Sequence, residues 1–268
     1  MSANAKLGSA SEAEMLRDDS ALADFARSEC LRVYGFDPVG GEAVEKNCGT
    51  GAGGVQPGNT CAGGGAIQDD AYAGLRPKVA EKLRDVEGSI RGNSMESAHV
   101  FSALGEELFS ENGGSKSVSF SRDQIARLEG HPGSVLTHNH PRGGSFSLED
   151  VKLAYLTRLG MIRAVGPDGT SYQIGPSRAS GWMPYSTGYL TDQWDLSREA
   201  ADAVVRPLLM PRVNEWETTG GKSGLDPHEA GRIHTHWQVR RFAKKTGLDY
   251  RMVLGKGVTR EEISDAAA

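Results

Sequence analysis

Residues 135–154, VLTHNHPRGGSFSLEDVKLA, place two of the chain's seven histidines one residue apart beside a Gly-rich turn. The run VLTHN is β-rich, and side chains alternate faces along a strand. His138 and His140 therefore project to the same side of the strand end, where two imidazoles are a natural pair of metal ligands. Asp150 is the candidate third ligand. Ser147 caps the helix that follows, which puts Asp150 in its first turn, able to fold back toward the histidines. Two His and one carboxylate leave a fourth tetrahedral position for water, the arrangement of a catalytic zinc rather than a structural one. Zn²⁺ lowers the pKa of such a water to about 7, so a nearby carboxylate could take its proton. A plainer reading stands beside this one. Ser147-x-x-Asp150 is also a variant of the helix capping box, which needs no metal. The conjunction of His-x-His-Pro and Ser-x-x-Asp at short range favours the metal.

Other histidines read differently. His99 lies in a predicted strand and has a structural character, and His131 precedes a proline in a turn. His234-Thr235-His236 repeats the spelling but falls in a helical pattern. Residues two apart on a helix diverge by about 200°, so they cannot share a metal. The stretch WQVRRFAKK clusters Arg240, Arg241, Lys244 and Lys245 beside Trp237 and Phe242. A charged helix face over an apolar stripe explains it first, and contact with nucleic acid second. GTGAGG has no strand before it and no Gly-Lys-Ser/Thr ending, so it reads as spacer rather than phosphate loop.

The elements that must position these residues fall into three regions. Residues 1–74 are polar, with one predicted helix and a flexible Gly-rich linker, CGTGAGGVQPGNTCAGGGA. Residues 75–182 carry clear periodicity. LRPKVAEKLRDVEGSI has Val79, Leu83, Val86 and Ile90 at helical spacing. ESAHVFSALGEELFSENGGSKSVSF predicts short strands broken at Gly105 and at the NGG turn. SRDQIARLE is a short Ser-capped helix, SLEDVKLAYLTRLG a helix that Gly160 can end, and MIRAVGPDGTSYQIG a hairpin. The predicted order is α-β-β-β-α-β-α-β-β, a small mixed-sheet α/β (α+β) domain. Residues 183–268 read as a helical C-terminal extension that includes PHEAGRIHTHWQVRRFAKKTGLDYRMVLG. A piece spanning about residues 75–181 is expected to hold the whole sheet.

Composition narrows the classes. The chain has 268 residues, 24% of them charged, and a net charge of −5, so nothing in it as a whole points to a polyanion partner. No apolar run approaches the ~20 residues that span a bilayer, and the N-terminus lacks the apolar core of a signal peptide. No membrane partner is expected, and the location expected is cytoplasmic. Cys30, Cys48 and Cys61 are odd in number with no Cys-x-x-Cys pair, which predicts reduced thiols.

HNHPRGGSFSLED resembles the metal motif of the JAMM (MPN-type) metallopeptidases: His-x-His-Pro, a short loop, then Ser-x-x-Asp, with a Glu upstream. The HNHP spelling is most similar to the RadC branch and to domains of phage head-morphogenesis chains. The resemblance covers about residues 75–175. It implies a layered, cytidine-deaminase-like MPN fold, and zinc held by His138, His140 and Asp150. It further implies Glu96 as general base and Ser147 as hydrogen-bond donor to the oxyanion. The loop before Ser147 is one residue shorter than the family's, which Gly143 and Gly144 can absorb. The implied activity is hydrolysis of peptide or isopeptide bonds in a protein or peptide substrate, with phage structural proteins as implied partners and the cytoplasm of a bacterial host, or a virion, as the implied location. Two other classes stay open: a non-catalytic structural or docking module and, third, a metal-dependent nuclease.

Overall fold

A computed structural model describes residues 67–177 and 181–260. The predicted N-terminal helix, the Gly-rich linker and all three cysteines lie outside the described residues. Helix α1 (Pro77–Ile90) starts on a proline, whose missing N–H costs nothing in the first turn. It buries one stripe: Val79, Leu83, Glu87 and Ile90. Strands β1 (Ser97–Phe101) and β2 (Glu107–Asn112) follow, then α2 (Arg122–Glu129), β3 (Val135–Asn139) and α3 (Leu148–Leu156). Strands β4 (Met161–Val165) and β5 (Ser171–Pro176) form the predicted hairpin. The chain ends in two long helices, α4 (Thr187–Thr218) and α5 (Pro227–Thr246), and a strand, β6 (Leu248–Val253).

The six strands make one mixed sheet in the order β2-β1-β3-β4-β5-β6. Only β3 and β4 run parallel; every other neighbouring pair is antiparallel. The fold is thus mixed α/β, of the α+β kind, with five α-helices among the described residues. Alternation along the strands sorts side chains between two cores. On one face Val100, Leu136, Ile162, Ala164, Tyr172 and Ile174 pack with Val151 of α3, Leu190 and Trp194 of α4, and Val239 and Phe242 of α5. On the other, Phe101 and Val135 pack with Tyr72, Val79 and Leu83. Among the described residues no helix is long and apolar enough to cross a membrane.

Several local expectations differ from the structure for physical reasons. SKSVSF is not a third strand. Instead, the amide of Glu96 donates to Gly114 O and that of Gly113 donates to Glu96 O, each at 2.8 Å, so the NGG segment stays bonded to the start of β1. Helix α3 stops before Gly160, and Arg158 takes the left-handed turn at φ 54°. Gly160 serves close packing instead, since a Cβ there would meet Gly133 O at 2.7 Å. The largest difference is β6. LDYRMV was expected to be helical, yet it pairs along all of β5. The sheet therefore continues past residue 182 into the C-terminal region, whose helices also fill its core.

The second core holds a buried ion pair that apolar periodicity does not reveal. Glu87 and Arg163 are both 0% exposed. The guanidinium meets the carboxylate through two bonds, Nε–Oε1 at 2.7 Å and Nη2–Oε2 at 3.0 Å. Thr137 and Tyr72 hydroxyls donate to the same carboxylate, and Arg163 Nη1 reaches Ala71 O and Gln173 Oε1. Full satisfaction of this kind is what makes a buried charge pair tolerable.

Candidate metal centre

Sheet register brings the predicted residues together. In the antiparallel pairing of β1 with β3, Ala98 faces His138 and Phe101 faces Val135. Carried one alternate step beyond Ala98, the same register sets Glu96 against His140. Directly opposed residues share a face, so Glu96, His138 and His140 all lie on the side of the sheet that carries α3. The fold places Asp150 there too, in the first turn of that helix.

Nε2 of His138 and Nε2 of His140 are 2.7 Å apart, with ring planes 70° apart. Asp150 Oδ1 lies 3.5 Å from the first of these nitrogens, and Oδ2 lies 4.0 Å from the second. The ligand atoms all fall within 4.8 Å of one another, in the one such three-residue group among the described residues. Two nitrogens on a tetrahedral zinc sit about 3.3 Å apart, given Zn–N distances of about 2.0–2.1 Å. A modest opening of the histidine pair therefore accommodates an ion.

The donor set fits a metal in its protonation as well. His140 Nδ1 lies 2.8 Å from Gly144 O. That contact holds the proton on Nδ1 and leaves Nε2, the nitrogen 2.7 Å from His138 Nε2, as the lone-pair donor. Burial pushes the His138 imidazole down to about 4, although Asp150 pulls the other way. His138 Nδ1 is buried with no well-formed hydrogen bond, although the Arg163 backbone acts on the ring in the sense that favours its proton. Burial disfavours charge on Asp150 too, but His138, His140 and the bonds from Ser147 outweigh it and hold the carboxyl below its usual range. Neutral imidazole and ionised carboxylate are the forms that bind metals.

The capping box and the ligand cluster coexist. Ser147 N donates to Asp150 Oδ2 at 2.8 Å, and Asp150 N donates to Ser147 Oγ at 3.2 Å. Ser147 Oγ also donates to Oδ2, at 2.8 Å. The cap thereby orients the carboxylate and leaves Oδ1 toward His138. Gly143 supports the short loop in the left-handed region, at φ 71°, where glycine alone is at ease.

Glu96 is 8% exposed. Burial pushes its carboxyl up to about 7, with His140 pulling it down and Asp150 pushing it further up, so both groups act on it directly. Asn139, the residue between the histidines, points to the opposite face and is fully buried. Its amide bonds the backbone of residues 93–97, which delivers Glu96 to the site. Sequence reasoning passed over Asn139, Phe146 and Tyr250, and read Gly144 only as slack in the short loop. The sequence holds little signal for Asn139, which is one of three polar residues in a strand buried throughout.

The remaining histidines stay apart from the cluster. His99 Nδ1 pairs with Glu107 at 2.8 Å, and His131 Nδ1 donates to Arg127 O. His234 meets Asp202 at 3.2 Å, while His236 Nδ1 meets the Tyr250 hydroxyl at 2.9 Å. Within WQVRRFAKK, Trp237, Val239, Phe242 and Ala243 are buried, and Arg241 lies over the Trp237 ring. The apolar residues of that stretch thus belong to the core. Comparison with protein-family models, curated proteins and solved structures finds no match, so the site is defined by its own geometry.

Proposed function

We propose that the chain is a zinc-dependent hydrolase of peptide or isopeptide bonds, similar to JAMM (MPN-type, RadC-like) metallopeptidases. The observation that carries this reading is the convergence of His138, His140 and Asp150 with the buried carboxyl of Glu96. A zinc ion held by the three ligands would supply Lewis-acid polarisation of an amide carbonyl and acidify water. Glu96 accepts the proton that the attacking water loses as its oxygen bonds to the carbonyl carbon. The same carboxyl returns that proton to nitrogen as the C–N bond breaks, giving an acid and an amine. Ser147 Oγ is committed to Asp150 at rest. To donate to the oxyanion it must release that bond, and Ser147 N–H then keeps Asp150 in place.

The partners that go with this reading are a protein or peptide substrate, phage structural proteins first among those to try. A second reading, a non-catalytic docking module, draws on the capping box, which satisfies Asp150 without any metal. Metal analysis and mass spectrometry on the full chain separate the two. Wild type should hold about one zinc, and His138→Ala should lose it. Glu96→Gln should keep zinc yet cleave candidate proteins, the chain's own Gly-rich linker included, roughly 10²–10⁴-fold more slowly. Zinc retained by His138→Ala removes the site. Zinc held with no cleavage of any candidate by wild type favours the docking module.

A further inference from the structure

Tyr250 stands on β6, far along the chain from the ligands, yet it touches the loop that joins them. Its hydroxyl lies 2.9 Å from Ser145 Oγ, in the loop between His140 and Asp150. His236 Nδ1, from the second His-x-His, lies 2.9 Å from the same hydroxyl on its other side. The Tyr250 ring packs edge-on against Phe146, at 6.4 Å between centroids. Phe146 is in turn packed beside the His138 ring, at 6.5 Å. The residue preceding Ser145 is Gly144, whose carbonyl sets the His140 ring.

Within the Pro-Arg-Gly-Gly-Ser loop, Gly143 N donates to His140 O at 2.8 Å and closes one turn, but adjacent glycines leave the rest of the backbone free to wander. Further order comes from outside the loop. Tyr172 OH donates to Gly143 O at 3.0 Å, and Arg232 Nε donates to Arg142 O at 2.9 Å. These bonds hold the first half of the loop. The half nearest Ser147 and Asp150 is held by the Tyr250–Ser145 bond and by that of His140 Nδ1 to Gly144 O.

We propose that Tyr250, backed by His236, is a positioning residue for the metal centre. By gripping Ser145 and Phe146 it keeps the Gly144 carbonyl on His140 and the His138 ring in ligating orientation. This rests on the metal-centre reading above. It also gives the sixth strand a part in the site and not only in the core.

The test is Co²⁺ binding by the metal-free full chain, followed by the visible spectrum of the bound ion. Wild type, Tyr250→Phe, Ser145→Ala and the double variant are compared, with thermal melts of each metal-free form. Phe keeps the ring contacts and removes only the hydroxyl. Each single variant should bind Co²⁺ roughly 10-fold more weakly, the lower end for a partner outside the ligand set, with a shifted ligand-field band. The double variant should match the singles, because all three lose the same bond. Unchanged affinity and spectrum in both singles would overturn the proposal, as would losses that multiply in the double. Wild type that binds no Co²⁺ would instead sink the metal-centre reading itself, and this inference with it. Should Tyr250→Phe fail to fold, Ser145→Ala against Ser145→Thr gives the same decision, since Thr restores the hydroxyl and should restore affinity.

Discussion

Asn139 Oδ1 accepts a hydrogen bond from the Ser97 amide at 2.7 Å, tying the strand of the histidines to the segment that carries Glu96. Its Nδ2 donates to Asn93 O at 3.1 Å and Met95 O at 3.0 Å, so the whole amide is used on one short stretch of backbone. A side chain that points away from the cluster thereby sets the distance between the cluster's two strands.

Asn139→Ala strips these partners and leaves a buried amide and two carbonyls unpaired. Chemical denaturation should show a loss of about 2–3 kcal/mol. The ligands themselves are untouched, so zinc content should persist while hydrolysis falls with the misplacement of Glu96. Stability equal to wild type would show that the clip holds nothing.

Glu96 makes the metal-free protein sensitive to pH. Its folded value of about 7 lies above the ordinary value of about 4.3 that holds in the unfolded chain. Between the two, the folded state binds more protons, so stability falls as pH rises through this window and stays lower above it. Glu96→Gln has no such charge to bury. The melting temperature of metal-free Glu96→Gln should therefore gain on wild type from pH 4 to pH 8. A constant difference across that range would contradict the burial of an ionisable Glu96.

The Glu87–Arg163 pair makes the second core sensitive to loss of either charge. Glu87→Gln leaves Arg163 charged, 0% exposed and without its counter-charge. About 3–5 kcal/mol should be lost. Replacing both partners with apolar residues, Glu87→Leu with Arg163→Met, should cost less than the single change. Urea denaturation of wild type and the two variants checks the order, and a double variant worse than Glu87→Gln would refute it.

A piece spanning residues 75–181 lacks α4, α5 and β6. It exposes the β5 edge and the core surface that Leu190, Trp194, Val239, Phe242 and Leu248 cover. Such a piece should show no cooperative unfolding transition, with or without zinc, under conditions where the full chain does. A dispersed amide spectrum from the piece would show that the C-terminal elements only decorate the sheet.

Much of this protein was determined by sequence alone, where the determinants lie within a few residues of each other. The helical spacing of Val79, Leu83 and Ile90 marks α1, and Ser121 with Gln124 closes a capping box on α2. Pro167-Asp168-Gly169 turns the β4–β5 hairpin. His138 and His140 share a side because strand geometry has period two, and Ser147 places Asp150 in a first turn. What only the tertiary structure decided depends on which strands become neighbours. LDYRMV pairs with nothing until β5 lies beside it, and six half-apolar residues after a long helix read equally well as more helix. The Asn139 clip joins residues 42 apart, and the Tyr250–Ser145 bond joins residues 105 apart. Local periodicity encodes the element a residue belongs to. It is silent about register across strands, and register is what turns Glu96 toward His140 and Tyr250 toward the loop.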